Sequence, residues 1–226
     1  MKTITKITRQ QRKEDRLNIF LDGDYAFSLH VSIAAPLQVG QMLSEEECQR
    51  LVAQDAAQRA YEQALHYLKY RPRSAAEVAR YLRDKRATEE AIQDVLAKLQ
   101  EQRWVDDVAF ATFWVENREL FRPRSRHALR AELRQKGISD QFIEASLENV
   151  DELASAYEAA RGRAVRLARL DYQTFRRRLG GFLQRRGFGY DVIKETVERL
   201  WRERGSERDD ARHGQVRFGP SAKDEI

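Results

Sequence analysis

Guanidinium groups are the side chains whose type and spacing first suggest chemistry in this sequence. Arg71-Pro72-Arg73-Ser74 recurs as Arg122-Pro123-Arg124-Ser125, followed by Arg126, at an offset of 51 residues. A planar guanidinium fork matches the two oxygens of a carboxylate or a phosphate, so arginine pairs at fixed spacing suit a polyanionic partner. Further along, Arg176, Arg177, Arg178, Arg185 and Arg186 crowd one short stretch, and Lys136 precedes Gly137. Residues 161–204 hold thirteen Lys and Arg against five Asp and Glu, although the whole chain carries a net charge of only +5. The candidate contacts are thus Arg71, Arg73, Arg122, Arg124, Arg126, Lys136, Arg176, Arg177, Arg178, Arg185 and Arg186. Charge alone does not choose between a nucleic-acid backbone and an acidic protein groove.

Signals for catalysis are absent. The chain has no phosphate-binding Gly-x-x-x-x-Gly-Lys loop, no Gly-x-Gly-x-x-Gly turn and no His-Glu-x-x-His helix. Asp106, Asp107 and Glu116 could be taken for a two-metal nuclease site, but the first two stand where a helix begins, the usual place for capping acids. His30, His66, His127 and His213 are scattered, with no pair at ligand spacing, and read as surface or packing residues. Cys48 is the only cysteine, so no intrachain disulfide or thiolate cluster can form. Tyr172, Phe175, Phe182, Phe188 and Tyr190 interleave with the C-terminal arginines and could stack on unpaired bases, but most fit a core. No catalytic residue, metal or cofactor is expected.

The elements that carry these residues change character near Gly40. Before it, Leu17, Ile19 and Leu21 alternate with polar residues, as do Tyr25, Phe27 and Leu29 after Asp22-Gly23-Asp24, which predicts a hairpin. Residues 3–8 could add a third strand, giving a β-hairpin or three-stranded element over 1–43. Ser44 and Glu47 form a capping box that opens a linking helix over 44–56. From there to Arg204 the pattern is helix and turn. Leu82, Ile92, Leu96 and Leu99 match Leu133, Ile143, Leu147 and Val150, and again Leu183, Ile193, Val197 and Leu200, at offsets of 51 and then 50. Each set is a core-forming stripe on a helix face.

Three repeats of three helices follow, over 57–105, 106–150 and a basic 151–204. Their helices are expected at 57–69, 74–85 and 89–102, at 107–120, 125–136 and 140–149, and at 152–169, 174–186 and 190–203. Ser74 and Ser125 should cap the second helices, and Gly137 and Gly187 should close them in the left-handed conformation, whereas Arg86 replaces that glycine in the first repeat. The fold class is mostly α, with tandem three-helix repeats in an elongated curved array. Residues 205–226 lack periodicity and are expected to form a disordered tail. No stretch approaches the roughly 18 to 20 apolar residues of a membrane span, and no apolar run follows Met1-Lys2, so a cytoplasmic protein without membrane contact is expected.

The chain resembles the RecX regulatory proteins, bacterial modulators of the RecA recombinase. The resemblance rests on Trp104-Val105-Asp106-Asp107 with Phe110-Ala111 and Asn117-Arg118, on Glu132-Leu133-Arg134-Gln135-Lys136-Gly137-Ile138, and on Arg185-Arg186-Gly187-Phe188 with Ile193. The Leu21-Asp22-Gly23-Asp24-Tyr25-Ala26-Phe27 turn looks like the β-extension of some members. The resemblance implies binding to RecA and the RecA–DNA filament without catalysis, and a monomer is expected. It further implies restraint of strand exchange, ATP hydrolysis and coprotease activity, within the SOS response and homologous recombination. It also leaves room for weak direct binding to single- or double-stranded DNA. The rival reading is an autonomous DNA-binding protein that uses one three-helix unit as a helix-turn-helix. Charge reversal at Arg124 and Arg126 is expected to weaken filament inhibition with the fold intact.

Overall fold

A computed structural model describes the backbone of residues 1–11 and 15–214 and side chains up to residue 204. The chain divides into two compact units, Met1–Phe110 and Ala111–Ile226.

The first unit opens with an antiparallel sheet of strands β1 (Lys2–Arg9), β2 (Arg16–Leu21), β3 (Asp24–His30) and β4 (Met42–Leu43), in the order β3-β2-β1-β4. The hairpin lies where the alternation placed it. Leu21 pairs with Asp24, and Asp22 and Gly23 take φ of 51° and 98°, the two positive values that a twist-matched two-residue turn requires. Sequence reading missed β4, which is only two residues long, and the one-turn helix α1 (Val31–Ala34). Ile4, Ile19, Leu21, Leu29 and Leu43 pack with Cys48, whose thiol is pushed up chiefly by burial. Beside them Arg16 and Asp55 form a buried ion pair at 2.8 Å, and Asp55 also accepts the His30 amide at 2.6 Å.

Ser44 and Glu47 form the expected capping box, but α2 then runs without a break from Glu45 to Leu68. Residues 44–56 and the first helix of the first repeat are therefore one element, because no Gly or Pro interrupts them. Helices α3 (Ala75–Asp84) and α4 (Glu89–Glu101) complete that repeat. The second repeat is α5 (Asp107–Phe121), α6 (Arg126–Gln135) and α7 (Asp140–Leu147). The third is α8 (Glu152–Arg166), α9 (Tyr172–Arg185) and α10 (Tyr190–Gly214). Helix α10 thus continues past Arg204, where the tail was expected to begin, and residues 215–226 lie outside the described residues. No helix among the described residues is long and apolar enough to cross a membrane.

The apolar stripes occupy the repeat cores. Every one of the twelve residues is buried except Leu96 and Ile193, which are half-buried against the same clusters. Each fully buried Leu or Ile contributes about 1.5 to 3 kcal/mol.

The second helix of every repeat ends in the same hydrogen-bonded turn. The amides of Ala87, Ile138 and Phe188 donate to the carbonyls of Leu82, Leu133 and Leu183 at 3.1, 3.1 and 3.3 Å. Gly137 and Gly187 supply φ of 79° and 91°. Arg86 does not change the turn: it adopts φ 64° itself. A side chain in the left-handed region costs on the order of 1 kcal/mol, partly offset by the greater unfolded-state freedom of glycine. Arg86→Gly should therefore stabilise the first unit by up to about 0.5 kcal/mol, read as a raised denaturant midpoint; an unchanged or lowered midpoint would show that the turn is not strained.

Candidate interaction surface

The two Arg-Pro-Arg-Ser turns share a backbone but differ in what their arginines touch. In both, the serine is fully buried and accepts the amide three residues on, Ser74 from Glu77 at 3.2 Å and Ser125 from Ala128 at 3.1 Å. In both, the following amide takes a carboxylate from the first helix of the next repeat. Ala75 donates to Asp107 at 2.8 Å, and Arg126 donates to Glu152 at 3.2 Å. The start of one repeat thereby neutralises an orphan donor of the repeat before it.

In the first turn Arg71 grips Glu77 through two hydrogen bonds of 2.9 and 3.1 Å. Arg73 lies over the Tyr67 ring at 3.9 Å, and Tyr67 stacks on Tyr81 at 4.1 Å. The positions 51 residues on from Tyr67, Tyr81 and Glu77 are Arg118, Glu132 and Ala128. An ion pair therefore replaces the ring stack. Glu132 accepts Arg118 Nε and Trp114 Nε1 at 2.8 Å each, and Arg124 Nε reaches its other oxygen at 3.0 Å. Lys136 lies 4.9 Å from the Trp114 ring centroid. With Ala128 where Glu77 would be, Arg122 is exposed and has no ion-pair partner among the described residues.

Arg126 reaches back to the Leu147 carbonyl at 2.8 Å. Arg124 and Arg126 thus tie the second repeat together, and charge reversal there strikes the fold as well as any contact. In the third repeat Arg176, Arg177, Arg178 and Arg185 are exposed along α9. Arg186 instead turns inward, donates to the Pro123 carbonyl at 2.8 Å and covers the Phe182 ring at 4.7 Å. Burial, then the charges of Arg122 and Arg124, hold its pKa below the usual arginine value. The structure therefore gathers Arg122, Arg124 and Arg186, and leaves Arg122, Arg176, Arg177, Arg178 and Arg185 open to solvent.

The aromatics divide likewise. Phe175 and Phe188 are core, Tyr172 meets Trp201 edge-on at 5.1 Å, and Tyr190 is 68% exposed. Sequence reading placed Arg118 and Glu132 in the stretches that carry the family resemblance but did not join them with Trp114 in one cluster. The signal for that pairing is position, since Arg118 and Glu132 fall 51 residues after Tyr67 and Tyr81.

Asp106 and Asp107 bind backbone amides. Asp106 accepts the Val108 and Ala109 amides at 2.9 Å each, as a cap of α5. Burial raises the Asp107 pKa beside the Ala75 amide it accepts. Glu116 lies nine residues further along the same helix, roughly 13 Å away by helix rise, too far to share a metal pair. Asp15, His30 and Glu62 do bring one donor atom each within 4.8 Å of one another. His30 Nδ1 faces the Ser32 amide at 3.3 Å and the Ser32 hydroxyl at 2.8 Å, and Nε2 stands 3.7 Å from Glu62. That last separation is longer than a hydrogen bond and places the end of β3 beside α2.

Models of the RecX N-terminal domain and of the first, second and third RecX three-helix domains match residues 2–44, 60–99, 106–147 and 150–197. Regulatory protein RecX of Bacillus pumilus (strain SAFR-032) is 32% identical over 207 residues, covering 89% of this chain and 78% of that protein. The Halalkalibacterium halodurans protein of the same name is 33% identical over 208 residues, covering 87% and 77%. A crystal structure of regulatory protein RecX aligns with a TM-score of 0.66 at 28% identity, covering 88% of this chain and all of that one. RecX from Lactobacillus salivarius aligns at 0.57 and 25% identity, covering 65% and 97%. With four domain models in tandem on the sheet and the three repeats, and relatives above 30% identity over most of both chains, the chain belongs to the RecX family of regulatory proteins.

Proposed function

We propose that this protein binds RecA and the RecA–DNA filament and restrains its strand exchange, ATP hydrolysis and coprotease activity, acting in the cytoplasm as a monomer and by binding, not catalysis. The observation that carries the reading is the run of four RecX domain models from residue 2 to residue 197. The relatives are named regulatory proteins, which supports a non-enzymatic role. Physical support comes from the exposed arginines of α9 and from Arg122, which can make charge-assisted contacts without dismantling a repeat. Contacts from several repeats to a partner that is itself periodic add as avidity.

The test is RecA-filament ATP hydrolysis with wild-type protein and with Arg176→Glu/Arg177→Glu/Arg178→Glu. Wild type should inhibit, and the triple variant should need at least about tenfold more protein for the same inhibition, with an unchanged unfolding midpoint. Bare-DNA binding, measured at two salt concentrations, should be weak and steeply salt-dependent. Tight, sequence-selective duplex binding with no effect on filament hydrolysis would instead establish the autonomous DNA-binding reading.

A further inference from the structure

In the second unit, Phe182 on α9 carries two guanidinium groups on its ring, Arg163 at 4.9 Å and Arg186 at 4.7 Å from the centroid. Neither arginine has an ion-pair partner among the described residues, and Arg163 Nε is buried without a hydrogen-bond acceptor. Arg122 and Arg124 act on Arg186 with the same sign, so positive charge gathers on this side of the ring only at a cost.

These groups line an open concavity of about 370 Å³ between the end of α5, α8 and α9. Arg166 stands on its wall, exposed, with Nε turned to its own helix at the Gly162 carbonyl, 3.3 Å away. The two carboxylates present are already engaged: Glu158 pairs with Arg161 at 2.9 Å, and Glu119 accepts the Ser155 hydroxyl at 3.2 Å. At the lip, Leu120 and Phe121 are 74% and 73% exposed, consecutive large apolar residues at the end of a helix. The groove therefore offers cationic donors without enough anions beside an apolar ledge without a cover.

We propose that this groove docks an acidic segment of a protein partner, in which an aromatic or aliphatic side chain covers Leu120 and Phe121 while flanking carboxylates reach Arg163, Arg166 and Arg186. Discrete carboxylates around an apolar anchor complement both halves of the groove. A nucleic-acid backbone complements neither the ledge nor the wall that carries Glu119 and Glu158, and a cavity of this size holds a few side chains, not a duplex. Assigning the segment to the recombinase rests on the reading of the chain as a RecA-binding regulator.

The experiment uses the full chain and a fluorescein-labelled peptide with one phenylalanine flanked on both sides by aspartates, followed by fluorescence anisotropy, with an oligothymidine as competitor. Arg166→Glu and Phe121→Asp change exposed residues, and Arg163→Met removes the charge while keeping an apolar cover on Phe182; the unfolding midpoint of each is measured alongside. The peptide should bind wild type and each variant about tenfold more weakly, since a charge-assisted hydrogen bond contributes on the order of 1.5 kcal/mol or more. No binding by wild type, equal binding by the variants, or displacement by oligothymidine at lower concentration than by unlabelled peptide would each overturn the proposal. A second arm measures binding to RecA filaments. If wild type binds and the variants bind equally well, the groove is not the docking site. If wild type ignores filaments but binds the peptide with the expected losses, the groove stands and the RecA reading fails.

Discussion

Gly187→Ala is expected to destabilise the second unit by about 2 to 5 kcal/mol, a loss that combines left-handed strain of about 1 to 2 kcal/mol with overpacking of about 1 to 3 kcal/mol. The glycine takes φ +91°, and a Cβ there would stand 2.6 Å from the Ser125 hydroxyl and 2.9 Å from the Ala128 methyl. Both neighbours belong to the start of α6, which cannot retreat freely. The Ser125 amide donates to the Arg186 carbonyl at 3.2 Å, and the Arg186 side chain donates to Pro123 at 2.8 Å. The turn that closes α9 is thus pressed against the turn that opens α6. Gly189→Ala is the control, since its added methyl meets nothing within 4 Å, and it should leave the denaturation midpoint almost unchanged. Combining Gly187→Ala with Ser125→Gly should recover part of the loss beyond additivity, because it removes the closer clash. If Gly187→Ala behaved like Gly189→Ala, the close approach of the two turns would be refuted.

Much of this was legible beforehand, and the reason is local. The left-handed glycines follow from Gly137 and Gly187 at equivalent ends of helices, and the caps follow from Ser44, Ser74 and Ser125, because such positions depend on a few neighbouring residues. The stripe residues follow from helical period alone. What lay beyond reach depends on partners distant in sequence or on elements too short to carry a pattern. β4 has two residues, and its place beside β1 is set by pairing with Lys2 and Thr3. The continuity of α2 was hidden by reading a linker where the composition shows no break. Among the arginines, sequence gives charge and equivalence but not partnership. Arg71 and Arg122 occupy the same turn position, yet only Arg71 has a glutamate within reach, because Glu77 becomes Ala128 in the second repeat. Arg124 and Arg126, candidate contacts by charge, also hold Glu132 and the Leu147 carbonyl, partners that the sequence does not reveal.

Glu132 provides the sharpest separation of stability from binding. Glu132→Ala should cost about 2 to 3 kcal/mol, below the range for a fully buried pair because Arg118 and Arg124 keep 25% and 33% of their side-chain surface exposed. The loss leaves two guanidinium groups and the Trp114 indole N–H without their shared acceptor. Glu132→Gln keeps an oxygen and loses the charge, so it should cost about half as much, in line with a neutral acceptor replacing a charged one. Both variants should also bind any polyanion with a steeper salt dependence, since each raises the local positive charge by one. The first repeat suggests the rescue. There the equivalent positions hold Tyr67 and Tyr81, stacked at 4.1 Å with Arg73 over the ring. Arg118→Tyr/Glu132→Tyr should therefore be more stable than Glu132→Ala, because it transplants a working alternative into the same backbone. Thermal unfolding of the three variants decides the matter: a double variant no better than Glu132→Ala would mean that the two repeats, though equal in backbone, do not tolerate exchange of the packing beneath their arginine turns.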